Sequence, residues 1–267
     1  MKDSRAIYRW SVVVLVHLAT YGSAMAHTTC FSTYTSGSGD NFMKVCISRH
    51  GNLVQFESPA GSEHLRVDTI GEGYRICGDS GGVTQFGHDA GFHESGFGAP
   101  TITQPNGANT FPLTITRTTT DDKFQLRQTF NRDTREKDVT ITMTLTNLSP
   151  APISTVSLTR YFDGDIDNDI DDDRYARTGN SVWGYEDVQA PFGEGHGLML
   201  TPLTFSTPHS AVVRTFNAWS STLDNCGDVI VEPTPTDFGN FVGEISYFLG
   251  TMQAGQSKTV KFLYKRF

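Results

Sequence analysis

Several patterns that mark common protein classes are absent from this chain or scarce in it. Its four cysteines include no CxxC pair, which argues against a structural zinc site. No apolar run is long enough to cross a bilayer, so no membrane span is predicted. Basic residues are outnumbered, with 21 Lys and Arg against 29 Asp and Glu, and a surface this acidic argues against nucleic acid as a partner. No segment repeats apolar residues about every 3.6 positions, so long helices are not predicted.

The first 26 residues have the three parts of a secretory signal peptide. Three basic residues precede residue 10, residues 10–18 are mostly apolar, and residues 24–26, Ala-Met-Ala, form a small-residue cleavage site. Cleavage there removes three basic residues and one acidic residue, which takes the net charge from −8 to −10. The sequence therefore predicts a secreted or periplasmic protein that begins at His27. The amine and imidazole of a mature His27 also suit copper, an alternative that the sequence leaves open.

The four cysteines all follow the predicted cleavage site. An even number in an exported chain predicts two disulfides, and three pairings are formally allowed. We prefer Cys30 with Cys46, because they flank a short segment of β pattern that a bridge would close as a hairpin. This choice leaves Cys77 with Cys226.

The residue pattern indicates β-strands throughout. Val139, Ile141, Met143 and Leu145 alternate with threonines, which gives one apolar and one hydroxyl face. Short strands of this kind are separated by Gly, Pro, Asn and Asp, as in a sandwich or barrel. Neither a linker nor an internal repeat interrupts the pattern. We therefore interpret residues 27–267 as one all-β domain, a single-domain antiparallel β-sandwich.

Residues 163–173 contain seven aspartates within eleven positions. Such a run repels itself unless a cation is bound, and ligands that are all oxygen favour calcium. The alternative is a solvated acidic loop. The predicted calcium ligands are Asp163, Asp165, Asp167 and Asp169.

Two segments resemble the galactose mutarotase-like proteins, the aldose 1-epimerases and hexose-phosphate mutarotases. Residues 139–152 resemble the family's strand that closes on Thr-Asn and the proline turn after it, and the next strand ends in Tyr161-Phe162. Residues 229–233, Val-Ile-Val-Glu-Pro, resemble the context of the family's general base. The resemblance implies a supersandwich fold and places Glu232 at the base position. The family's general-acid histidine falls at Thr159, which cannot act as a proton donor at neutral pH.

Together these observations predict a calcium-stabilised, exported protein that binds carbohydrate in a groove. One alternative is a carbohydrate-active enzyme of the same fold, epimerase-like or lyase-like, with Glu232 as base. The other is a structural or adhesive extracellular protein. Besides Glu232, the residues expected to line the groove are His88, His93, Arg160 and Trp183, the last as a stacking surface for a sugar ring.

The acidic run generates a first test. Calcium at about millimolar concentration should raise the melting temperature of the mature protein relative to chelator, because a ligand that binds only the folded state stabilises it. Magnesium at the same concentration serves as the control for ionic strength. Identical melting curves in calcium and in chelator would contradict the expectation.

Overall fold

The computed structural model of the protein describes most of the chain. The described residues are 30–65, 71–79, 83–89, 96–132, 137–164, 166, 173–186, 196–215 and 239–267, with the backbone alone at 79, 83–89, 178 and 186. The predicted signal peptide lies outside the described residues. So do several residues singled out above, namely His27, His93, Asp165, Asp167, Asp169, Cys226 and Glu232.

Regular structure in the described residues consists of strands and one short 3-10 turn, Gly39–Asn41. The strands are β1 (Cys30–Ser36), β2 (Met43–Ser48), β3 (Leu53–Glu57), β4 (Glu72–Asp79), β5 (Val83–Asp89), β6 (Thr101–Thr103), β7 (Leu113–Thr118), β8 (Phe124–Asn131), β9 (Asp138–Asn147), β10 (Ile153–Asp163), β11 (Asp173–Thr178), β12 (Ser181–Glu186), β13 (Gly197–Pro202), β14 (His209–Thr215), β15 (Phe241–Met252) and β16 (Ser257–Arg266). The described part of the chain has no helix long and apolar enough to span a membrane.

The strands form three antiparallel sheets. The first contains three strands in the order β1-β2-β3, the second five in the order β14-β15-β10-β4-β5, and the third eight in the order β11-β12-β13-β16-β9-β8-β7-β6. Strands distant in sequence are neighbours in space, for example β9 and β16 in the largest sheet. The prediction of an all-β antiparallel sandwich is confirmed.

The hydrophobic core lies between the five-stranded and the eight-stranded sheets. The apolar face predicted for β9 is fully buried there, at Val139, Ile141, Met143 and Leu145. From the other sheet, alternate residues of β4, β10, β14 and β15 join the same core. The threonines of β9 lie on the outer face, where Thr144 forms a cross-strand hydroxyl bond of 2.9 Å with β16. The period of two in the sequence thus separates the two faces correctly.

One of the two predicted disulfides is present, and one cysteine of the other predicted pair is also disulfide-bonded. Cys30 on β1 and Cys46 on β2 are joined, with a Cα–Cα distance of 5.5 Å. This confirms the preferred hairpin bridge. Cys77 on β4 is disulfide-bonded as well, while Cys226, its predicted partner, lies outside the described residues.

A buried ion pair joins two neighbouring strands on the core side of the five-stranded sheet. Arg160 on β10 forms a salt bridge with Glu72 on β4, and both side chains have no solvent exposure. The Arg160 Nη1 donates to the Gln128 side chain on β8 at 2.7 Å, and its Nη2 donates to the Gly51 carbonyl at 3.2 Å. The hydroxyl of Tyr264 on β16 donates to the Glu72 carboxylate at 2.8 Å. This network links four strands of the two main sheets, β4, β8, β10 and β16, to the turn between β2 and β3.

Protein groups satisfy both members of the pair. Rings of Tyr74, Phe130 and Tyr264 lie 5.7 to 5.8 Å from the Arg160 guanidinium carbon, in the range of cation–π contact. Burial raises the pKa of Glu72, the charge of Arg160 lowers it, and the net shift is upward. Because burial disfavours the charged form of Glu72, that form depends on the nearby charge of Arg160. Removing Arg160 alone should therefore lower the free energy of unfolding.

Substitutions of this pair test that dependence. Arg160→Met should lower the free energy of unfolding by about 3–5 kcal/mol, because Glu72 would remain buried without its cation. Adding Glu72→Gln should recover part of the loss, since it removes the uncompensated charge. Urea denaturation measures both variants. Lys44→Met is the control, because Lys44 forms a partly exposed pair with Glu57, and its replacement should lower the free energy of unfolding by at most about 1 kcal/mol. A double variant less stable than Arg160→Met would contradict the argument.

Buried tyrosines give the fold a predictable response to alkali. Burial, assisted by the negative charge of Glu72, raises the pKa of Tyr264 well above its usual value of 10.0. Burial also raises the pKa of Tyr74. The folded state therefore keeps phenolic protons that the unfolded chain loses, so this contribution to stability is complete below the unfolded pKa and is lost as the pH rises above it.

We accordingly expect the free energy of unfolding to fall as the pH rises above about 10, where the unfolded chain ionises and these buried phenols do not. Urea denaturation across that range measures the slope. In Tyr264→Phe the slope should be shallower, because one phenol with a raised pKa is gone. An equal slope in wild type and in Tyr264→Phe would contradict the prediction.

Candidate functional site

The five-stranded sheet has a second face that is polar. Thr159 on β10 lies opposite Arg75 on β4 and opposite Ser246 on β15, and Ser246 lies opposite Ser210 on β14. Residues paired in this way project from the same side of a sheet. Their neighbours in sequence belong to the core, so this side faces away from it. We call it the polar sheet face, and it comprises Arg75, Thr159, Ser210, Glu244 and Ser246.

Most of the polar sheet face is buried although it lies outside the core. Thr159 and Glu244 are each 1% exposed, and Arg75 and Ser246 are also buried. Tyr161, opposite Glu244, is fully buried but does not belong to the core cluster. Two ionisable side chains and two hydroxyls are thus withdrawn from water at the centre of one sheet face. Such groups require partners, since an unpaired buried polar group costs about 1–3 kcal/mol.

A directional chain of hydrogen bonds connects these side chains. Arg75 Nη2 donates to Glu244 Oε1 at 2.9 Å, and Ser246 Oγ donates to the same oxygen at 3.0 Å. Thr159 Oγ1 lies 2.7 Å from Ser246 Oγ. A hydroxyl has one proton, and that of Ser246 goes to Glu244, so Thr159 must donate its own to Ser246. Towards a ligand, the Thr159 hydroxyl can then act only as a hydrogen-bond acceptor.

Three atoms of the polar sheet face are buried without a hydrogen-bond partner in the described part of the chain. They are Glu244 Oε2, Arg75 Nε and Ser210 Oγ. Two of them belong to the Arg75–Glu244 ion pair itself, and Ser210 lies opposite Ser246, the residue that donates to Glu244. Buried polar atoms in native proteins are nearly always paired with protein groups, ordered water or a ligand, so these three atoms are places where water or a ligand can bind.

The structure separates the residues that the sequence suggested for one groove. Thr159 lies on the polar sheet face, but its neighbour Arg160 points to the opposite side and is enclosed in the core by Glu72 and its other partners. Trp183 lies on the outer face of the eight-stranded sheet, because its neighbour Val182 is in the core, and its ring is 5.1 Å from that of Phe267. His88 lies on β5, opposite Tyr74 in the register. Arg160 and Trp183 therefore do not contribute to the polar sheet face.

Sequence reasoning missed Arg75, Glu244 and Ser246. A signal was present, because β15 alternates Glu244 and Ser246 with Ile245 and Tyr247, and β4 places Arg75 between Tyr74 and Ile76. The alternation shows that these polar residues share a face, but an ordinary solvated face has the same pattern. Their burial and mutual contact could be learned only from the structure.

The first and last residues of the acidic run, residues 163–173, are buried. Asp163 at the end of β10 and Asp173 at the start of β11 are each 1% exposed. The Asp173 carboxylate accepts a hydrogen bond of 3.0 Å from the Ile166 amide, and the Tyr175 hydroxyl accepts one of 2.9 Å from the Gly164 amide. The described residues include no cluster of three or more His, Cys, Asp or Glu that could hold a metal ion.

Comparison with known proteins adds information on the fold. No family model and no curated protein matches the chain. Among solved structures, a bacterial glucoamylase in complex with acarbose matches 90% of this chain with a TM-score of 0.58 and 6% identity. The match covers 32% of the glucoamylase chain, so the protein spans about a third of that enzyme's length.

Smaller proteins match along nearly their whole length. An Escherichia coli K12 protein named as an aldose 1-epimerase is 11% identical, with a TM-score of 0.49 over 88% of this chain and 99% of its own. A galactose mutarotase related enzyme from Lactobacillus acidophilus is also 11% identical, with a TM-score of 0.43 over 88% of this chain and 97% of its own. The resemblance to galactose mutarotase-like proteins expected from the sequence is thus found, and at these identities it is a resemblance of fold alone.

Proposed function

We propose that this protein is an exported β-sandwich that binds an uncharged carbohydrate on the polar sheet face. The observation that carries the proposal is a set of three buried atoms, two in the Arg75–Glu244 pair and one in Ser210, that have no partner in the described part of the chain. A ligand that supplied their missing hydrogen bonds would remove the cost of leaving them unpaired.

The chemistry of the three atoms selects the ligand. Glu244 Oε2 accepts hydrogen bonds, Arg75 Nε donates, and Ser210 Oγ does either. Thr159 can only accept, because its proton is already donated to Ser246. A sugar hydroxyl both donates and accepts, and a sugar presents several of them. A carboxylate or phosphate ligand would instead meet the negative charge of Glu244 at short range.

The likeness of fold agrees with this class of ligand. The glucoamylase was solved with acarbose, and the two smaller proteins are named as an aldose 1-epimerase and a galactose mutarotase related enzyme. A common fold does not carry function by itself, so the side chains on the polar sheet face remain the basis of the proposal.

The hydrogen bonding of Thr159 favours a binding role over a catalytic role for this protein. The resemblance places this residue where the family has its general-acid histidine, and here its hydroxyl is bonded to Ser246. A threonine hydroxyl does not titrate near neutral pH and therefore makes a poor general acid. The enzyme alternative with Glu232 as base stays a prediction, because Glu232 lies outside the described residues. On the polar sheet face, Glu244 offers a second carboxylate, with one oxygen that has no partner in the described part of the chain.

Export and calcium binding are further parts of the proposal. A hairpin disulfide and a bonded Cys77 fit an oxidising compartment such as the periplasm or the extracellular space. For calcium, the support is the seven aspartates of residues 163–173 and the buried carboxylates at both ends of that run. A bound cation would offset the repulsion among charges held so close together.

Glu244→Gln tests the carbohydrate proposal. Wild-type protein should bind at least one sugar from a set of neutral mono- and disaccharides, and the variant should bind it about 10- to 100-fold more weakly, the cost of losing a hydrogen bond to a charged acceptor. Isothermal titration calorimetry measures the affinities. Glu57→Gln, at a carboxylate on the three-stranded sheet, is the matched control and should bind as wild type does.

Two further measurements keep this test interpretable. Ser210→Ala removes a hydroxyl without a partner in the described structure, so it should weaken sugar binding without lowering the melting temperature. This variant remains informative if Glu244→Gln folds poorly. Turnover is measured with the same sugars. Wild-type turnover that is lost in Glu244→Gln would favour the enzyme alternative, and wild-type protein that binds no neutral sugar would refute the proposal.

A further inference from the structure

The polar sheet face is buried at one end and open at the other. Along β15, Glu244 and Ser246 are buried, whereas Phe248, two residues further on the same side, is 44% exposed. The neighbouring strands show the same trend, because Ser157 on β10 and Ser210 on β14 are partly exposed while Thr159 is buried. Solvent therefore reaches this face from the end that carries Phe248.

Phe248 is an exposed aromatic ring in line with the hydrogen-bonding chain. It lies opposite Ser157 in the register, and its backbone amide donates to the Pro208 carbonyl at 2.8 Å. Alternation along the strand places it on the same side as Ser246 and Glu244. Single exposed apolar residues are common on protein surfaces. This one differs because it lies on the same sheet face as Ser210, whose hydroxyl is buried without a partner in the described part of the chain.

The spacing along β15 sets the size of a ligand that could touch both ends. Glu244 and Phe248 are four residues apart, which corresponds to about 13 Å along a strand. One pyranose ring is shorter than this distance. A ligand that donates to Glu244 Oε2 and also covers the Phe248 ring must therefore contain at least two sugar units.

We propose that Phe248 is the stacking platform at the mouth of the site, and that the site takes a saccharide of two or more units along β15. One unit is held by Glu244, Arg75 and Thr159. The next lies with its apolar face against the ring of Phe248, with Ser157 and Ser246 beside it. Aromatic rings suit this role because they offer a flat apolar surface at a small cost in conformational freedom. This inference rests on the proposed carbohydrate function and adds a second subsite to it.

The test compares matched mono- and disaccharides in wild type and in Phe248→Ala. The probes are glucose with maltose and cellobiose, galactose with galactobiose, and mannose with mannobiose, measured by isothermal titration calorimetry. In wild type the disaccharide of the recognised sugar should bind about tenfold more tightly than the monosaccharide. Phe248→Ala should remove most of that gain and leave the monosaccharide affinity within about twofold of wild type, because only the stacking contact is lost.

Two variants serve as controls. Phe31→Ala removes a ring of similar exposure, 37%, from the three-stranded sheet and should leave both affinities unchanged. Phe248→Tyr keeps an aromatic platform and should preserve the gain from the second unit. Phe248 is partly exposed, so its replacement should fold normally, and a melting curve verifies this.

The outcomes distinguish the two proposals. If Phe248→Ala binds mono- and disaccharides as wild type does, or if wild type shows no preference for the disaccharide, the stacking subsite is refuted while the carbohydrate proposal stands. If wild type binds none of these probes, the carbohydrate proposal itself fails. Loss of the disaccharide gain in Phe248→Ala, retained in Phe248→Tyr and Phe31→Ala, supports the subsite.

Discussion

The arrangement of the sandwich depends on the buried Arg160–Glu72 pair. A charge without solvent exposure is tolerated only with a full set of partners, and these come from both main sheets and from the turn between β2 and β3. A sheet shifted by one residue would leave the guanidinium or the carboxylate unpaired in an apolar core. The main effect of the pair is therefore to disfavour other strand registers, and its net contribution to the free energy of unfolding is smaller. It also explains why a cation on β10 is unsuited to binding an external ligand.

The fold could be predicted from the sequence much better than the site. Alternating residues such as Ile141 and Met143 alone indicate a half-buried strand, and the spacing of Cys30 and Cys46 indicates a hairpin bridge. These signals are local. The sheet order is not local, since it places β9 beside β16, and the strand patterns in the sequence do not reveal it.

The candidate site was harder to predict because its residues come from strands far apart in the sequence. Glu244 and Arg75 are separated by 169 positions, yet they form one ion pair. Conversely, Thr159 and Arg160 are adjacent, and strand alternation sends them to opposite sides of the sheet. Sequence reasoning grouped residues by motif and so placed Arg160 and Trp183 in a groove that they do not share. The polar residues of β4 and β15 gave no sign of being buried, because a solvated face would show the same alternation.

The two faces of the five-stranded sheet thus have different roles, and this affects which substitutions the protein can accept during evolution. Along β4, β10 and β15, alternate residues face opposite sides. One set packs between the two main sheets, and the other set lines the polar sheet face. Replacements at the second set leave the interior between the sheets untouched. The effect of such a replacement on stability therefore depends on the partners that the residue has on the polar sheet face itself, and it is largest at the buried Arg75–Glu244 pair.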